Sequence, residues 1–311
     1  MEPEGKQNST DFSIQGLSDV PETQFAIFLI FLLCYVIIII GNKTIFLVIL
    51  SDPRLHTPMY IFLMNLSFID IANTSNILPK LLNIHLTNHT AISFAGCITQ
   101  MYLFLSLILS EVILFAAMAY DRYVAICHPL HYFILMSLKH CALLIIASWS
   151  LGFIDAVGHA VQISKMSFCA SHVINHIFCD IEALMKLSCS DPFFVEILTF
   201  VEGTCFSVSA FFLTLTSYVF IISSVLKIKS AAGQRKAFST CSSHLICVSI
   251  FYGTLFCLYL RPTSSYSPKQ DKYFSLLYVV LVPILNPLVY TLKNQEVKNA
   301  LKKLKDIMVC S

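Results

Sequence analysis

The sequence predicts an all-α membrane protein, a seven-transmembrane helix bundle followed by a short amphipathic C-terminal helix. Of its 311 residues, 57% are hydrophobic and 12% are charged, whereas soluble domains contain about 45–50% apolar and about 25% charged residues. A soluble chain of this length would need more charge to cover its surface. The net charge of only +2 also excludes a basic nucleic-acid-binding domain, so we expect no nucleic acid partner.

Seven stretches of the chain are long and apolar enough to cross a bilayer as helices. A hydrocarbon core about 30 Å thick needs about 20 apolar residues in a helix, because the backbone must satisfy its own hydrogen bonds there. A transmembrane barrel would show alternating polarity, which the uninterrupted apolar run from Val36 to Ile40 contradicts. We therefore expect a tail at 1–24, the bundle at 25–292 and an amphipathic helix with its tail at 293–311. The predicted spans lie near 25–50, 58–80, 98–121, 140–162, 195–226, 238–260 and 272–292.

The positive charges predict the orientation of these spans, because loops rich in Lys and Arg stay in the cytoplasm. The tail carries five acidic residues against the single cation Lys6, and it lacks the regions of a cleaved signal peptide. We therefore expect an extracellular N-terminus, a cytoplasmic C-terminus, and a first span that acts as the targeting signal. Twelve of the 20 cations mark the cytoplasmic side: Arg54, Arg122, Lys139, Lys227, Lys229, Arg235, Lys236, Lys293, Lys298, Lys302, Lys303 and Lys305.

Beyond the seventh span, apolar residues recur along one side of a basic segment. Val297, Leu301, Leu304 and Met308 have the spacing of an amphipathic helix that lies on the inner leaflet of the lipid bilayer. The alternative is a basic tail without stable structure.

Two prolines interrupt the seventh span. Pro283 and Pro287 lack a backbone N–H, so each leaves the carbonyl one turn earlier without its usual donor. We expect a kink in this helix.

The predicted outer side carries candidate modification sites. Asn8 begins an Asn-Ser-Thr sequon in the tail and is the expected glycosylation site, with Asn88 as a weaker second site close to the membrane. Four cysteines on this side predict two disulfides in an oxidising compartment, with three connectivities open. They are Cys97, Cys169, Cys179 and Cys189.

The long loop before span 5 offers one metal hypothesis. The run His176-Ile-Phe-Cys179-Asp180, with His172 and Glu182 nearby, has a spacing that a soft metal ion could use. The alternative is that Cys179 forms a disulfide and the histidines make ordinary hydrogen bonds.

Several motifs, in order along the chain, resemble those of one family. The end of span 3, MAYDRYVAICHPLHY from Met118 to Tyr132, is similar to the odorant receptors among the rhodopsin-like G-protein-coupled receptors. The other matching segments are LHTPMY at 55–60, HIFCD at 176–180, KAFSTCSSHL at 236–245 and PILNPLVYTLKN at 283–294.

The resemblance implies a function and a cellular place. It implies a multi-pass receptor of the plasma membrane that binds a small volatile odorant and activates a heterotrimeric G protein of the stimulatory type, raising cyclic AMP. It also implies that the chain is not an enzyme and that trafficking accessory proteins assist it.

The same resemblance assigns signalling residues. Asp121, Arg122 and Tyr123 would restrain the resting state and then form the G-protein site, whereas the alternative for Arg122 is a cation that only anchors a helix end. Span 6 would swing outward near Lys236 to His244. Tyr218 and Tyr290 would rearrange behind it.

Two acids fall within the predicted spans. Asp70 and Glu111 are costly in a membrane, so we expect them to face the interior with partners. With Asn286 they resemble the family's internal sodium pocket, and the alternative is a protonated carboxyl in a polar core. We expect no other cofactor.

By resemblance, the ligand pocket lies between the outer halves of spans 3, 5 and 6. Its residues suit a mainly hydrophobic ligand that is bound by shape and dispersion. Glu202 leaves a cationic odorant open, and Asp155 and His159 are further polar anchors. The predicted lining is Phe104, Leu105, Ile108, Leu109, Glu202, Phe206, Leu255, Phe256 and Tyr259.

Two other classes of function compete with a receptor. The intramembrane acids would suit a transporter or channel, but the sequence shows no internal repeat of the kind that secondary transporters have. An intramembrane enzyme would need a nucleophile paired with a base or a zinc motif such as HExxH, and neither pattern occurs.

Overall fold

The computed structural model describes residues 11–18, 20–169, 171–259, 268–293 and 295–310, with only the backbone given for some helical residues. Within these ranges seven helices are long and apolar enough to cross a membrane, which confirms the predicted fold class. We number them as spans. They are span 1 (Pro21–Ser51), span 2 (Pro58–Thr87), span 3 (Phe94–Cys127), span 4 (Leu138–Ser164), span 5 (Phe193–Leu226), span 6 (Ala231–Tyr259) and span 7 (Pro268–Leu276, Leu277–Leu281 and Val282–Lys293).

Most spans extend beyond the bounds that hydropathy predicts. Span 3 has 34 residues, which corresponds to a helix about 51 Å long against a hydrocarbon core of about 30 Å. Its ends therefore project from the membrane, where polar residues can cap them. The Ser93 side chain accepts a hydrogen bond of 3.1 Å from the Gly96 N–H at the start of the helix.

Span 3 is the central helix of the bundle and contacts spans 2, 4, 5 and 6. Its closest approach is to span 4 at Gly152, where an added Cβ would meet the Ser106 carbonyl and the Ser110 side chain. Only glycine fits between these two helix backbones. The approach fixes span 4 against span 3 at mid-height.

Span 7 departs from α-helical geometry where its prolines require it. A π-helical turn, Leu277–Leu281, ends two residues before Pro283. The Val279 carbonyl, which loses its donor to Pro283, accepts a hydrogen bond of 3.4 Å from Thr74 Oγ1. The Pro283 carbonyl, freed in the same way by Pro287, accepts one of 3.0 Å from Asn42 Nδ2. Spans 1 and 2 thus supply the donors that span 7 lacks.

A small sheet joins the N-terminal segment to two loops at one end of the bundle. Its strands are β1 (Phe12–Ile14), β2 (Ala91–Ile92) and β3 (Val173–Ile174). β1 pairs antiparallel with β2, where Ser13 lies opposite Ala91, and parallel with β3, where Ile14 lies opposite Ile174. Sequence analysis missed β1 and treated this segment as a tail.

The same end of the bundle holds two disulfides, and we call it the disulfide end. Cys97 at the start of span 3 is bonded to Cys179 in the long loop, and Cys169 is bonded to Cys189 within that loop. Of the three connectivities, each of which would tie the loop to Cys97, the structure has the one in which the tie is at Cys179. A short helix, Ile181–Leu187, follows Cys179, and we call it the loop helix.

The C-terminal helix runs from Gln295 to Cys310. Val297 is fully buried in the main hydrophobic core, and Leu301 packs against that core. This part of the apolar side therefore contacts the bundle, whereas we had expected it to face the bilayer. Tyr60 reinforces the contact by donating a hydrogen bond of 2.6 Å to Glu296. The side chains of Leu304 and Met308 lie outside the described residues.

The two candidate glycosylation sites differ in what the structure describes. Asn8 lies outside the described residues. Asn88 ends span 2 in the left-handed conformation, with φ of 58°, which asparagine tolerates better than most residues.

Candidate functional site: a ligand-sized cavity and the Asp-Arg-Tyr end

A cavity of about 680 Å³ lies near the disulfide end, between spans 3, 4, 5 and 6 and the loop helix. This volume is within the range of about 300–1,000 Å³ that is typical of small-molecule sites. Most of its wall is apolar. The lining comprises Leu105, Ile108, Leu109, Asp155, His159, Ile181, Glu182, Met185, Lys186, Pro192, Glu196, Thr199, Phe200, Glu202, Gly203, Thr204, Phe206, Ser207, Val208, Tyr252, Leu255, Phe256 and Leu258.

The cavity brings together most of the residues that the sequence suggested for a ligand pocket. Seven of the nine line it: Leu105, Ile108, Leu109, Glu202, Phe206, Leu255 and Phe256. Phe104 does not, because it is 1% exposed and packs instead against Phe178 and Tyr278, with ring centroids 4.5 and 5.8 Å apart. The side chain of Tyr259 lies outside the described residues.

A polar corner interrupts the apolar wall between spans 4 and 5. Asp155, His159 and Glu202 each offer a ligand atom there, and these atoms lie within 4.8 Å of one another. His159 Nδ1 is 3.1 Å from Glu202 Oε2. On its other side, His159 Nε2 lies 3.1 Å from the hydroxyl of Thr199.

Beside the cavity, the long loop is held to span 3 and span 7. The Cys179 N–H donates a hydrogen bond of 2.9 Å to Gln100 on span 3. His176 is buried, with Nδ1 3.3 Å from the Phe178 carbonyl and Nε2 3.2 Å from the hydroxyl of Ser275 on span 7. Because a carbonyl can only accept, Nδ1 carries the proton and Ser275 donates to Nε2.

These contacts argue against the metal hypothesis for the loop. Cys179 is in a disulfide, both ring nitrogens of His176 have partners, and Asp180 caps the loop helix by accepting from the Glu182 N–H at 2.9 Å. Burial raises the pKa of Asp180 to about 6 although backbone N–H groups oppose the shift. Within the described residues, these side chains do not form a metal-binding group.

A buried polar group lies deeper in the bundle, between spans 2, 3 and 7. Asn286 Nδ2 donates to Asp70 at 3.0 Å, and the Tyr278 hydroxyl donates to Glu111 at 2.7 Å. Asn73 Nδ2 in turn donates to the Tyr278 oxygen at 3.2 Å. Within the described structure, Glu111 Oε1 and Asn286 Oδ1 are buried without a hydrogen-bond partner.

The opposite end of the bundle, the Asp-Arg-Tyr end, holds the candidate signalling residues. Arg122 is paired with its neighbour Asp121, which is fully buried and also accepts a hydrogen bond of 2.8 Å from Tyr132. Tyr123, next in the chain, has its hydroxyl 3.0 Å from His128 Nε2.

Spans 5 and 6 meet at the same end. The hydroxyl of Tyr218 on span 5 shares a hydrogen bond of 2.7 Å with His244 Nδ1 on span 6, and Tyr290 on span 7 is buried nearby in the main core. The side chain of Lys236 lies outside the described residues.

Sequence reasoning missed several residues of these sites. Tyr278 connects Glu111 to Asn73. In the sequence alone it cannot be distinguished from the other aromatic residues of an apolar span. The loop helix was also missed, although its residues Ile181 and Met185 line the cavity. Its segment is too short for a helical pattern of apolar residues to be recognised in the sequence. The three residues of the polar corner were not missed, because the sequence predicts Asp155, His159 and Glu202 as polar groups of the pocket.

A ligand-sized cavity near one end of seven helices and a buried Asp-Arg pair at the other end are the arrangement of a seven-helix receptor. A family model described as "Olfactory receptor" matches residues 31–306. Mouse olfactory receptor 5AR1 is 46% identical over 304 residues, which cover 98% of each chain. Gorilla olfactory receptor 1G1 is 46% identical over 305 residues, which cover 98% of this chain and 97% of the relative. Human olfactory receptor 5AR1 is 44% identical over 304 residues, again 98% of each chain.

The chain therefore belongs to the olfactory receptor family of G-protein-coupled receptors. Membership implies odorant reception, coupling to a G protein and a multi-pass position in the plasma membrane. The relatives are receptors and not enzymes.

The buried His176 predicts a pH dependence of stability. Burial, together with the nearby charge of Lys272, lowers its pKa from 6.5 to about 3 although the Phe178 carbonyl opposes the shift. The unfolded chain therefore binds an additional proton between these two pKa values, so the free energy of unfolding falls as the pH drops below 6.5. From pH 7 to pH 5 the loss is about 2 kcal/mol. His176→Asn removes this titration, so its pH profile should be flatter by that amount in thermal unfolding.

His172→Asn is the matched control, because His172 is an exposed histidine of the same loop. It should keep the wild-type profile. Titration of Asp180 acts in the opposite direction, but it is common to all three proteins and cancels in the comparison. Equal pH profiles for the wild type and His176→Asn would contradict the prediction.

Proposed function

We propose that this receptor binds small volatile, mainly hydrophobic odorants in the cavity between spans 3, 4, 5 and 6. The observation that carries the proposal is the cavity itself, whose volume of about 680 Å³ suits one small ligand and whose wall is mostly aliphatic and aromatic. Such a wall binds by shape and dispersion. The ligand would lie against Leu109, Phe206 and Phe256.

We further propose that ligand binding biases span 6. Leu255 and Phe256 line the cavity, and Tyr252 does so one turn along. The next ring, Phe251, packs on Phe115 of span 3 at 4.7 Å between centroids, and Phe115 lies 5.9 Å from the ring of His244. A ligand shifts the population of receptor conformations only if it binds one of them more tightly. A ligand that binds more tightly to one position of span 6 would therefore change the contact of His244 with Tyr218 through these packed rings.

The proposed output is activation of a stimulatory heterotrimeric G protein, which raises cyclic AMP. Breaking the Tyr218 to His244 contact would let span 6 move away from span 5 and open a cleft beside Arg122. The arginine would then leave Asp121 and contact the G protein. This places the Asp-Arg-Tyr end in the cytoplasm and the disulfide end outside the cell, as the distribution of Lys and Arg favours. Trafficking accessory proteins would assist delivery to the surface.

The buried polar group between spans 2, 3 and 7 supports a proposal for sodium. Asp70, Glu111 and Asn286 fit a hard cation, because they present carboxylate and amide oxygens of which Glu111 Oε1 and Asn286 Oδ1 have no hydrogen-bond donor among the described residues. The ion would offset one of the two negative charges, which otherwise repel each other in a medium of low dielectric constant.

The cavity can be tested by comparing two phenylalanines of span 5. Phe206 lines the cavity, whereas Phe212 is 57% exposed on the outer surface of the helix. For an odorant identified by screening volatile compounds against cyclic AMP production, Phe206→Ala should raise the half-maximal concentration by about tenfold or more. Phe212→Ala should leave it unchanged. Equal responses of both variants at matched surface expression would refute this placement of the ligand.

The coupling role of Arg122 can be tested against Arg54. Both arginines pair with an aspartate at the Asp-Arg-Tyr end, but the Arg54 side chain is 71% exposed, whereas that of Arg122 is 14% exposed. Arg122→Ala should abolish ligand-dependent cyclic AMP while surface expression persists. Arg54→Ala should signal normally, because exposed ion pairs contribute little. A full response from Arg122→Ala would exclude the proposed coupling.

Sodium binding can be tested by thermal unfolding of the purified chain at constant ionic strength. Replacing choline chloride by NaCl should raise the unfolding temperature of the wild type, because a ligand of the folded state stabilises it. Asp70→Asn should remove this increase, and Asp52→Asn, a carboxyl outside the polar group, should retain it. If the wild type responds equally to both salts, the two acids hold a proton and not sodium.

A further inference from the structure

The polar corner of the cavity has a chemistry that binding a hydrophobic odorant does not need. Asp155 and His159 on span 4 and Glu202 on span 5 bring a histidine and two carboxylates together in a mainly apolar wall. The His159 side chain is 6% exposed and that of Glu202 is 16% exposed. Polar groups buried to this extent need partners.

The hydrogen bonds of Thr199 determine which nitrogen of His159 carries the proton. The Thr199 hydroxyl donates its only proton to the Val195 carbonyl at 2.8 Å. It can therefore only accept from His159 Nε2, 3.1 Å away. Nε2 carries the hydrogen in the neutral ring, and Nδ1 presents a lone pair.

That lone pair points at another acceptor. His159 Nδ1 and Glu202 Oε2 are 3.1 Å apart, yet within the described structure both atoms are buried without a hydrogen-bond partner. Two acceptors this close repel each other unless a shared proton or a metal ion lies between them. The corner is thus arranged for a cation.

The distance indicates the kind of cation. Two ligand atoms at zinc distances of about 2.1 Å are separated by about 3.4 Å when the ion is tetrahedral. Two acceptors that share an ammonium at about 2.9 Å are separated by about 4.7 Å. The observed 3.1 Å between Nδ1 and Oε2 is close to the metal value and far from the ammonium value, and it also equals a hydrogen bond through a shared proton, which the metal titration below distinguishes.

We propose that Asp155, His159 and Glu202 bind a divalent transition metal ion of the zinc class inside the cavity. One imidazole nitrogen and two carboxylates are ligands that zinc uses in sites with three protein ligands. Thr199 orients the imidazole by accepting its other N–H, as outer partners of metal-binding histidines do. A fourth coordination position would face the cavity, where water or a ligand atom could occupy it.

The test measures metal binding by the purified full-length chain without any odorant. Titration of the metal-free protein with Zn²⁺ should show one site, and Co²⁺ should give the visible absorption of a site with a nitrogen ligand. His159→Gln and Glu202→Gln should each weaken binding by at least about tenfold. Thr199→Val, which keeps all three ligands, should weaken it by about tenfold to a hundredfold.

Glu196→Gln is the matched control, because Glu196 lines the same cavity but lies outside the cluster. Its affinity should equal that of the wild type, and thermal unfolding should confirm that every variant is folded. The absence of the Zn²⁺ site in the folded wild type would overturn the proposal and leave a shared proton as the cation. Equal loss in Glu196→Gln, or undiminished binding in both His159→Gln and Glu202→Gln, would overturn it as well.

Discussion

The lack of water in the membrane interior is the constraint on which the rest of this structure depends. A backbone carbonyl without a donor costs free energy there, and prolines in span 7 create two such carbonyls. Asn42 and Thr74 supply the missing donors, at 3.0 Å to Pro283 and 3.4 Å to Val279. Spans 1 and 2 are thereby held in register with span 7, and Gly41 leaves room for the ring of Pro287 at this contact.

The candidate functional residues lie near the two ends of the molecule and in a buried layer between them. Between them, Asp70 with Asn286 and Glu111 with Tyr278 form a buried polar layer that joins spans 2, 3 and 7. Near one end lies the mainly apolar cavity with its polar corner, and at the other end lies the buried ion pair of Arg122. Span 3 passes through all three levels. A shift of this helix or of its neighbour span 6 would therefore change side-chain contacts in the cavity, in the polar layer and at the ion pair.

The sequence was sufficient to predict what depends on hydrophobicity and charge. It predicted the seven spans and seven of the residues that line the cavity, because residues such as Leu105, Ile108 and Leu109 follow each other at helical spacing on one helix. It placed Phe104 in the same wall, but the direction of that ring depends on Phe178, which a loop delivers through the Cys97 disulfide.

Contacts between distant segments account for the other differences. The inward side of the C-terminal helix could not be distinguished from a lipid-facing side, since Val297 is equally apolar in both environments. The proton position on His159 depends on Thr199, which is 40 residues away along the chain. Periodicity describes one helix at a time, whereas these features depend on how two elements meet.

The short strand β1 has a consequence for the order in which the receptor is assembled. Its neighbours β2 and β3 lie about 80 and 160 residues further along the chain. Lys272, which donates to the Gln15 and Gly16 carbonyls, follows later still. During translation, the segment around Phe12 leaves the ribosome before any of these partners exists. The strand that is synthesised first therefore completes its pairing only after β3 has been made, and it contacts Lys272 only once span 7 is present.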